Sequence, residues 1–468
     1  MKEEVFMADH QLPVKVAVSV VLSAGLVVCA AVGPKYSVTS MSSDGSPQIE
    51  YKHVSAPEAA NENGVVTAEE WKETYPEIVA SYEANGDNTY RVSYLEEDPY
   101  LVNIYEGYGF AKDYTSAIAH NYTLTDIANT ERPHALANCL TCKTADFTKL
   151  VQDLGVQAYS LNFDDVYPDM SENVGCYTCH ENEEGEAGTL VVTHDYTAEK
   201  LSDDGIDSKT LVCGQCHIEY YFDPETKATT TPYDNVAAMD PDQILAYYDE
   251  MGFSDWTQES TGTGMLKAQH PELETFLGEG SRHAALGLTC ASCHMEKATD
   301  EETGVAYTSH SLVSPLESET ILATCAQCHK DTDMVEKVRT IQEEITGRET
   351  ELGNKLSDLK DQLAAAVASG DYTEDELNEL RSLYRSAQWY FDFCYVENSE
   401  GAHNSTMSRR CLDKSEELME EANGLFKASA DTGSESTAVE TAASGNEPAA
   451  MQTESRSIEE MDAESTAS

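Results

Sequence analysis

The sequence predicts a mainly α-helical fold: a body of short helices with few short strands, followed by long C-terminal helices. Three observations predict it. Five Cys-x-x-Cys runs, at 139–143, 176–180, 213–217, 290–294 and 325–329, are irregularly spaced, with short helical stretches and turns between them. Strand-like alternation is rare and brief. From Met334 onward apolar residues recur every three or four positions, the signature of a long amphipathic helix.

Residues 1–35 read as a signal peptide or an uncleaved membrane anchor, because Val16 to Gly33 carries no charge and follows Lys15. Cys29 falls in this stretch, either within a Val28-Cys29-Ala30 cleavage region or as a lipid-attachment site. Residues 36–62, rich in Ser, Pro and polar groups, read as a linker. Residues 63–330 form the body, without a simple internal repeat. One of its helices spans Pro241 to Met251, with Ile244, Leu245 and Tyr248 on one face.

Residues 331–428 form a long-helix region. A coiled-coil-like stripe runs from Met334 through Ile345, Leu352, Leu356, Leu359 and Leu363 to Val367. Ser369-Gly370-Asp371 ends that helix, and Thr373 with Glu376 forms a capping box for the next, which runs to about Tyr395. A third helix covers Ser408 to Lys427. The stripe packs either within the chain or against a second copy in a homodimer, since both bury the same surface. Residues 429–468 hold almost no large apolar side chain and predict a disordered acidic tail.

Alone, one Cys-x-x-Cys fits a zinc half-site or a thiol–disulfide pair. Four of the five runs, however, continue into histidine, which is the attachment pattern of haem c. The body is therefore that of a multihaem cytochrome c. Cys139, Cys142, Cys176, Cys179, Cys213, Cys216, Cys290, Cys293, Cys325 and Cys328 supply the thioethers of five haems c, and His180, His217, His294 and His329 are proximal iron ligands. The fifth run ends in Lys143. A ligating lysine is neutral, which lysine permits more readily than arginine. An amine is also a σ-donor without imidazole's π-system, so this iron differs electronically and marks the catalytic haem. Haem c is attached outside the cytoplasmic membrane, which places the protein in the periplasm or on the outer face of that membrane.

The formal charge is -56, from 85 acids and 29 bases. That argues against nucleic acid and against a basic membrane-binding surface. An anionic substrate would need a local positive funnel. Four more histidines complete bis-histidine ligation, which closes an iron to substrate and suits electron transfer. His120, His283, His310 and His403 are the candidate distal iron ligands, His403 by reaching back from a break between two helices. His10, His53, His134 and His194 read as surface or hydrogen-bonded core residues. Cys394 and Cys411 lie outside the motifs.

One Cys-x-x-Cys-Lys followed by four Cys-x-x-Cys-His runs resembles the pentahaem ammonia-forming cytochrome c nitrite reductase family. Two further stretches are similar to it: Cys213-Gly-Gln-Cys216-His217-Ile-Glu219-Tyr220-Tyr221-Phe222 and Met265-Leu-Lys267-Ala-Gln269-His270-Pro271. The resemblance covers roughly 90–427. It implies an oxidoreductase that reduces nitrite to ammonium with six electrons and eight protons. It makes Lys143 the proximal ligand of the substrate haem, with Arg132, Tyr220 and His270 as catalytic groups on the open face. It also implies calcium, held by the Glu219 carboxylate, the Tyr220 and Lys267 carbonyls and the Gln269 amide oxygen, hard donors of the kind calcium takes. The implied electron donor is a membrane-bound small tetrahaem quinol dehydrogenase. The alternatives are a non-catalytic multihaem conduit, against which Lys143 and the 267–270 stretch speak, or reduction of hydroxylamine or a sulfur oxyanion on the same fold.

Overall fold

Few of the helices in the first two thirds of the chain exceed ten residues, and several are set by local caps. A computed structural model describes residues 36–41, 47–51 and 61–427, apart from 62, 88 and 183–188. The uncharged 16–33 stretch, Cys29, His10, His53 and the 429–468 tail lie outside the described residues. Of the linker, the backbone forms an antiparallel hairpin, β1 (Tyr36–Met41) with β2 (Pro47–Tyr51).

The body contains α1 (Tyr100–Ile104), α2 (Ala145–Leu154), α3 (Ser208–Gly214), α4 (Pro241–Met251), α5 (Glu272–Leu277) and α6 (Cys290–His294) among shorter turns. Three two-stranded antiparallel ribbons interrupt them. They pair β3 (Tyr221–Phe222) with β4 (Thr229–Thr230), β5 (Trp256–Gln258) with β6 (Thr263–Met265), and β7 (Lys297–Thr299) with β8 (Ala306–Thr308). The α4 bounds match the sequence reading. Asp240 caps the first turn by accepting from Asp242 N, Pro241 stands at the first helical position, and Gly252 ends it in the left-handed region at φ 65°. Ile244, Leu245 and Tyr248 are buried.

Three long helices follow: α7 (Met334–Ser369), α8 (Glu374–Tyr395) and α9 (Ser405–Leu425). Gly370, at φ 71°, terminates α7, and the Thr373–Glu376 capping box opens α8. The third helix begins at Ser405 rather than Ser408, because the Asn404 side chain accepts from Met407 N and starts the turn earlier. The middle of the α7 stripe, Ile345 to Leu363, is covered by the chain's own helices and by α1. At Gly353 a Cβ would come 2.2 Å from Tyr100 Cε2, so α1 lies on α7 only because that residue is glycine. Trp389 donates its Nε1–H to Pro241 O at 3.0 Å, locking α8 onto α4. The body and these helices belong to one compact unit that ends at Phe426. Among the described residues no helix is long and apolar enough to cross a membrane.

Candidate haem and active site

The motif cysteines lie in contact across motifs, which orders the motifs in space. Cys142 Sγ, Cys216 Sγ and a nitrogen of His194 all lie within 4.8 Å of one another. Cys213 on α3 meets Cys290 on α6, and Cys293 lies near Cys325. Cys179 Sγ approaches Val212 O at 3.8 Å, bringing the 176–180 run against α3. The order is 139–143, 213–217, 290–294, 325–329, with 176–180 branching at 213–217. Such neighbours suit electron transfer by short steps. The Cys142–His194–Cys216 group has the atom types of a zinc site, but its two thiols belong to different attachment motifs. His194 itself is buried and hydrogen-bonds Thr193 Oγ1 at 3.3 Å, as a core histidine does.

The histidines pair. Ring centroids are 5.9 Å apart for His180 and His310, 6.1 Å for His294 and His403, and 6.3 Å for His329 and His283. One metal bound by a nitrogen of each of two imidazoles, at ~2 Å per bond, sets ring centroids roughly 6 Å apart. These pairs therefore fit axial ligation of an iron. His310 Nδ1 meets Thr308 O at 2.9 Å and His403 Nδ1 meets Glu397 Oε1 at 2.5 Å, which leaves Nε2 of each for a metal. His120 lies by His217 and Lys143. Burial, with those two charges adding to it, pushes its pKa down to about 4, so it is a neutral imidazole. His134 is placed otherwise, its Nδ1 3.0 Å from Arg132 O and its ring on Phe163.

Lys143 follows the short turn Ala137–Leu140, and its carbonyl accepts from Thr123 Oγ1 at 2.6 Å. The Arg132 guanidinium acts on both the Cys139 thiol and the Tyr220 hydroxyl, so these three converge on the lysine motif. Arg132 is held by its Nε–H to Thr130 Oγ1 at 3.1 Å and by its Cζ 4.4 Å above the Phe110 ring. His270 stands 6.2 Å, ring to ring, from His217, a spacing like that of the three pairs, but here the two Nδ1 atoms face one carboxylate oxygen, Glu272 Oε1, at 3.9 and 3.7 Å.

Glu219, Lys267 and Gln269 gather beside this face. Gln269 N donates to Glu219 Oε2 at 2.6 Å, and Gln269 Nε2 donates to Lys267 O at 2.8 Å. Tyr248 OH donates to Glu219 Oε1 at 3.0 Å. Burial holds the Glu219 carboxyl well above the usual carboxylate range, and Glu274 and Asp255 push it further. Three acids crowd here. The nearest ammonium, Lys267 Nζ, lies 3.5 Å from a fourth, Asp392. A hard dication would replace the proton that Glu219 otherwise prefers. The Gln269 amide would then turn its oxygen inward. The donor set fits calcium.

Sequence reasoning missed the Lys267 side chain, Asp392 and Glu272. Lys267 Nζ donates to Ala268 O at 2.8 Å and lies 5.1 Å from the Phe110 centroid and 5.4 Å from those of Tyr105 and Tyr114. Burial lowers its pKa, and Asp392 opposes the shift. Asp392 accepts from Ala268 N at 2.8 Å and from Tyr105 OH. A hint was present: Asp392 interrupts an aromatic run, Trp389-Tyr390-Phe391-Asp392-Phe393, in which nothing exposed fits.

Among solved structures the chain is similar to the catalytic subunit of the cytochrome c nitrite reductase of Desulfovibrio desulfuricans, described for its two calcium sites. Identity is 26%, over 77% of this chain and 85% of that one, with a TM-score of 0.70. The outer cell wall cytochrome OcwA is 18% identical over 64% of this chain and 48% of its own, with a TM-score of 0.36. An undecahaem cytochrome from the S-layer of Carboxydothermus ferrireducens is 17% identical over 66% and 41%, with a TM-score of 0.35. The family model of cytochrome c552 matches residues 67–468, most of the chain, and the chain belongs to the cytochrome c552 family.

Proposed function

We propose that this chain reduces nitrite to ammonium with six electrons, as the enzyme of dissimilatory nitrite ammonification. One observation carries the reading. The single motif that ends in lysine is also the motif on which Arg132 and Tyr220 converge, two groups able to bind and protonate an anion. The similarity to a nitrite reductase over 85% of its length supports it.

The five motifs would hold haem c, the four histidine motifs with their paired imidazoles for electron transfer and the Lys143 motif for the reduction of nitrite. The chain's own groups do the rest. Arg132 presents a fixed cation to the anion, and its N–H groups bind nitrite oxygen. His270 and Tyr220 donate hydrogen bonds and protons to the departing oxygens. With the chain at -56, bulk potential repels nitrite. Arg132, with calcium at Glu219, Tyr220, Lys267 and Gln269, supplies the local positive field.

The electron donor is a membrane-bound small tetrahaem quinol dehydrogenase, and the site of action is the periplasm or outer membrane face, with residues 1–35 as signal or anchor. The working form is a homodimer. Because α8 and α9 cover the centre of the α7 stripe, the second copy meets the outward faces of these helices.

Lys143→His tests the reading. Histidine completes an ordinary attachment motif, so haem content stays at five per chain while nitrite turnover falls about a hundredfold or more. Full turnover in a five-haem variant would remove lysine from the account.

A further inference from the structure

Glu272 stands between two histidines with different tasks. It opens α5, and its Oε1 lies 3.7 Å from His217 Nδ1 and 3.9 Å from His270 Nδ1. The same oxygen accepts from Asn398 Nδ2, in the turn between α8 and α9. The residue is 7% exposed. Its Oε2 is buried without a hydrogen-bond partner, and so is His270 Nδ1. A buried polar atom left unpaired costs about 1–3 kcal/mol, so two such atoms on neighbouring groups call for a shared purpose. With Nδ1 turned to the carboxylate, each imidazole keeps Nε2 for its other task.

We propose that Glu272 is a positioning residue shared by two centres, its carboxylate the charged partner that Nδ1 of both His217 and His270 faces. It thereby fixes the ring plane of an iron ligand on one side and of the nitrite-side imidazole on the other. This rests on the reading that His217 ligates the haem of the 213–217 motif and that His270 faces nitrite. An anionic acceptor on Nδ1 makes an imidazole a stronger donor to its iron and favours the ferric state. One carboxylate thus lowers the potential of the haem nearest the active site and holds the group that delivers protons there. Asn398 keeps that carboxylate in register with the long helices.

The test is Glu272→Gln in the five-haem holoenzyme, with a spectroelectrochemical titration beside steady-state kinetics. The midpoint of one low-spin haem moves positive while the other three hold, and kcat falls at least tenfold with a much smaller change in KM for nitrite. Four unmoved midpoints, or an unchanged kcat, in a protein with five haems would overturn the proposal. Should Glu272→Gln not assemble, Asn398→Ser unpins the carboxylate without removing it. The same single midpoint and kcat then both change, and no change in either overturns the proposal. A wild type that makes no ammonium would sink the functional reading alone, because the midpoint comparison still decides whether Glu272 acts on His217.

Discussion

Between Phe276 and Ile345 one apolar side chain among the described residues is buried, Ile321, while Leu286 is 76% exposed and Val305 56%. That stretch nonetheless carries two attachment motifs and the histidines His283 and His310. From Ile345 to Ala422, by contrast, α7 buries Leu352, Leu356, Leu359 and Leu363, and Trp389, Tyr384, Phe391 and Phe393 on α8 are nearly inaccessible. Fully burying a large apolar side chain contributes about 1.5–3 kcal/mol, and fixing each residue's backbone costs about 1–2 kcal/mol. The helices meet that cost from their own sequence. The 278–333 stretch does not, and haem c at its two attachment motifs would supply the missing apolar surface. The two regions differ in what their side chains bury: one carries its own apolar core, the other leaves that place for the cofactor its motifs would attach.

Withholding haem attachment breaks the comparison most severely. In the haem-free chain, limited proteolysis read by mass spectrometry cuts first within 278–333, and a fragment containing α7 to α9 survives. Equal resistance of both regions would show that the body has a core of its own.

Truncating the helical core does the reverse. Leu356 is fully buried. Leu356→Ala lowers unfolding stability by about 2–5 kcal/mol, measured by denaturant titration, while haem content and low-spin midpoints stay as in wild type. A shifted midpoint would mean that the helices tune the cofactors as well as support them.

The smallest effect depends on pH. Glu349 on α7 is 5% exposed, and its Oε1 has no partner. Burial pushes its pKa up to about 8, against a contribution from the Cys394 thiol and with Glu400, Glu397 and Asp98 adding to it. A folded-state pKa above the unfolded value favours the fold at low pH, and that advantage fades as pH rises to about 8. Glu349→Gln keeps the neutral form at every pH. It therefore matches wild type below pH 4.5 and gains stability over wild type as pH rises, the gain levelling off above about pH 8. A gain independent of pH would contradict the buried acid.

What was legible in the sequence was local. Gly370, the Thr373–Glu376 box and Pro241 act over one turn, and each marks its helix end correctly. The attachment motifs are equally local. Pairings such as His180 with His310 were not legible, because each joins residues far apart in the chain and a lone histidine carries no mark of its partner. The start of α9 shifted because Asn404 caps it from within a polar loop that offers several caps. Glu272 reads as an ordinary helix acid, and only packing reveals that it is buried, whereas the aromatic run around Asp392 hinted at its burial. Cys394 and Cys411, outside every motif, are buried free thiols on α8 and α9.

The central claim is that the lysine motif is a site of nitrite reduction rather than one more station in a wire. The most direct test is the product per electron: purified five-haem protein, a reduced dye as donor, nitrite as sole acceptor, with ammonium and dye oxidation measured together. The account predicts one ammonium for every six electrons, with no accumulated intermediate. Dye oxidation without ammonium, or a fully reduced protein that leaves nitrite untouched, would contradict it.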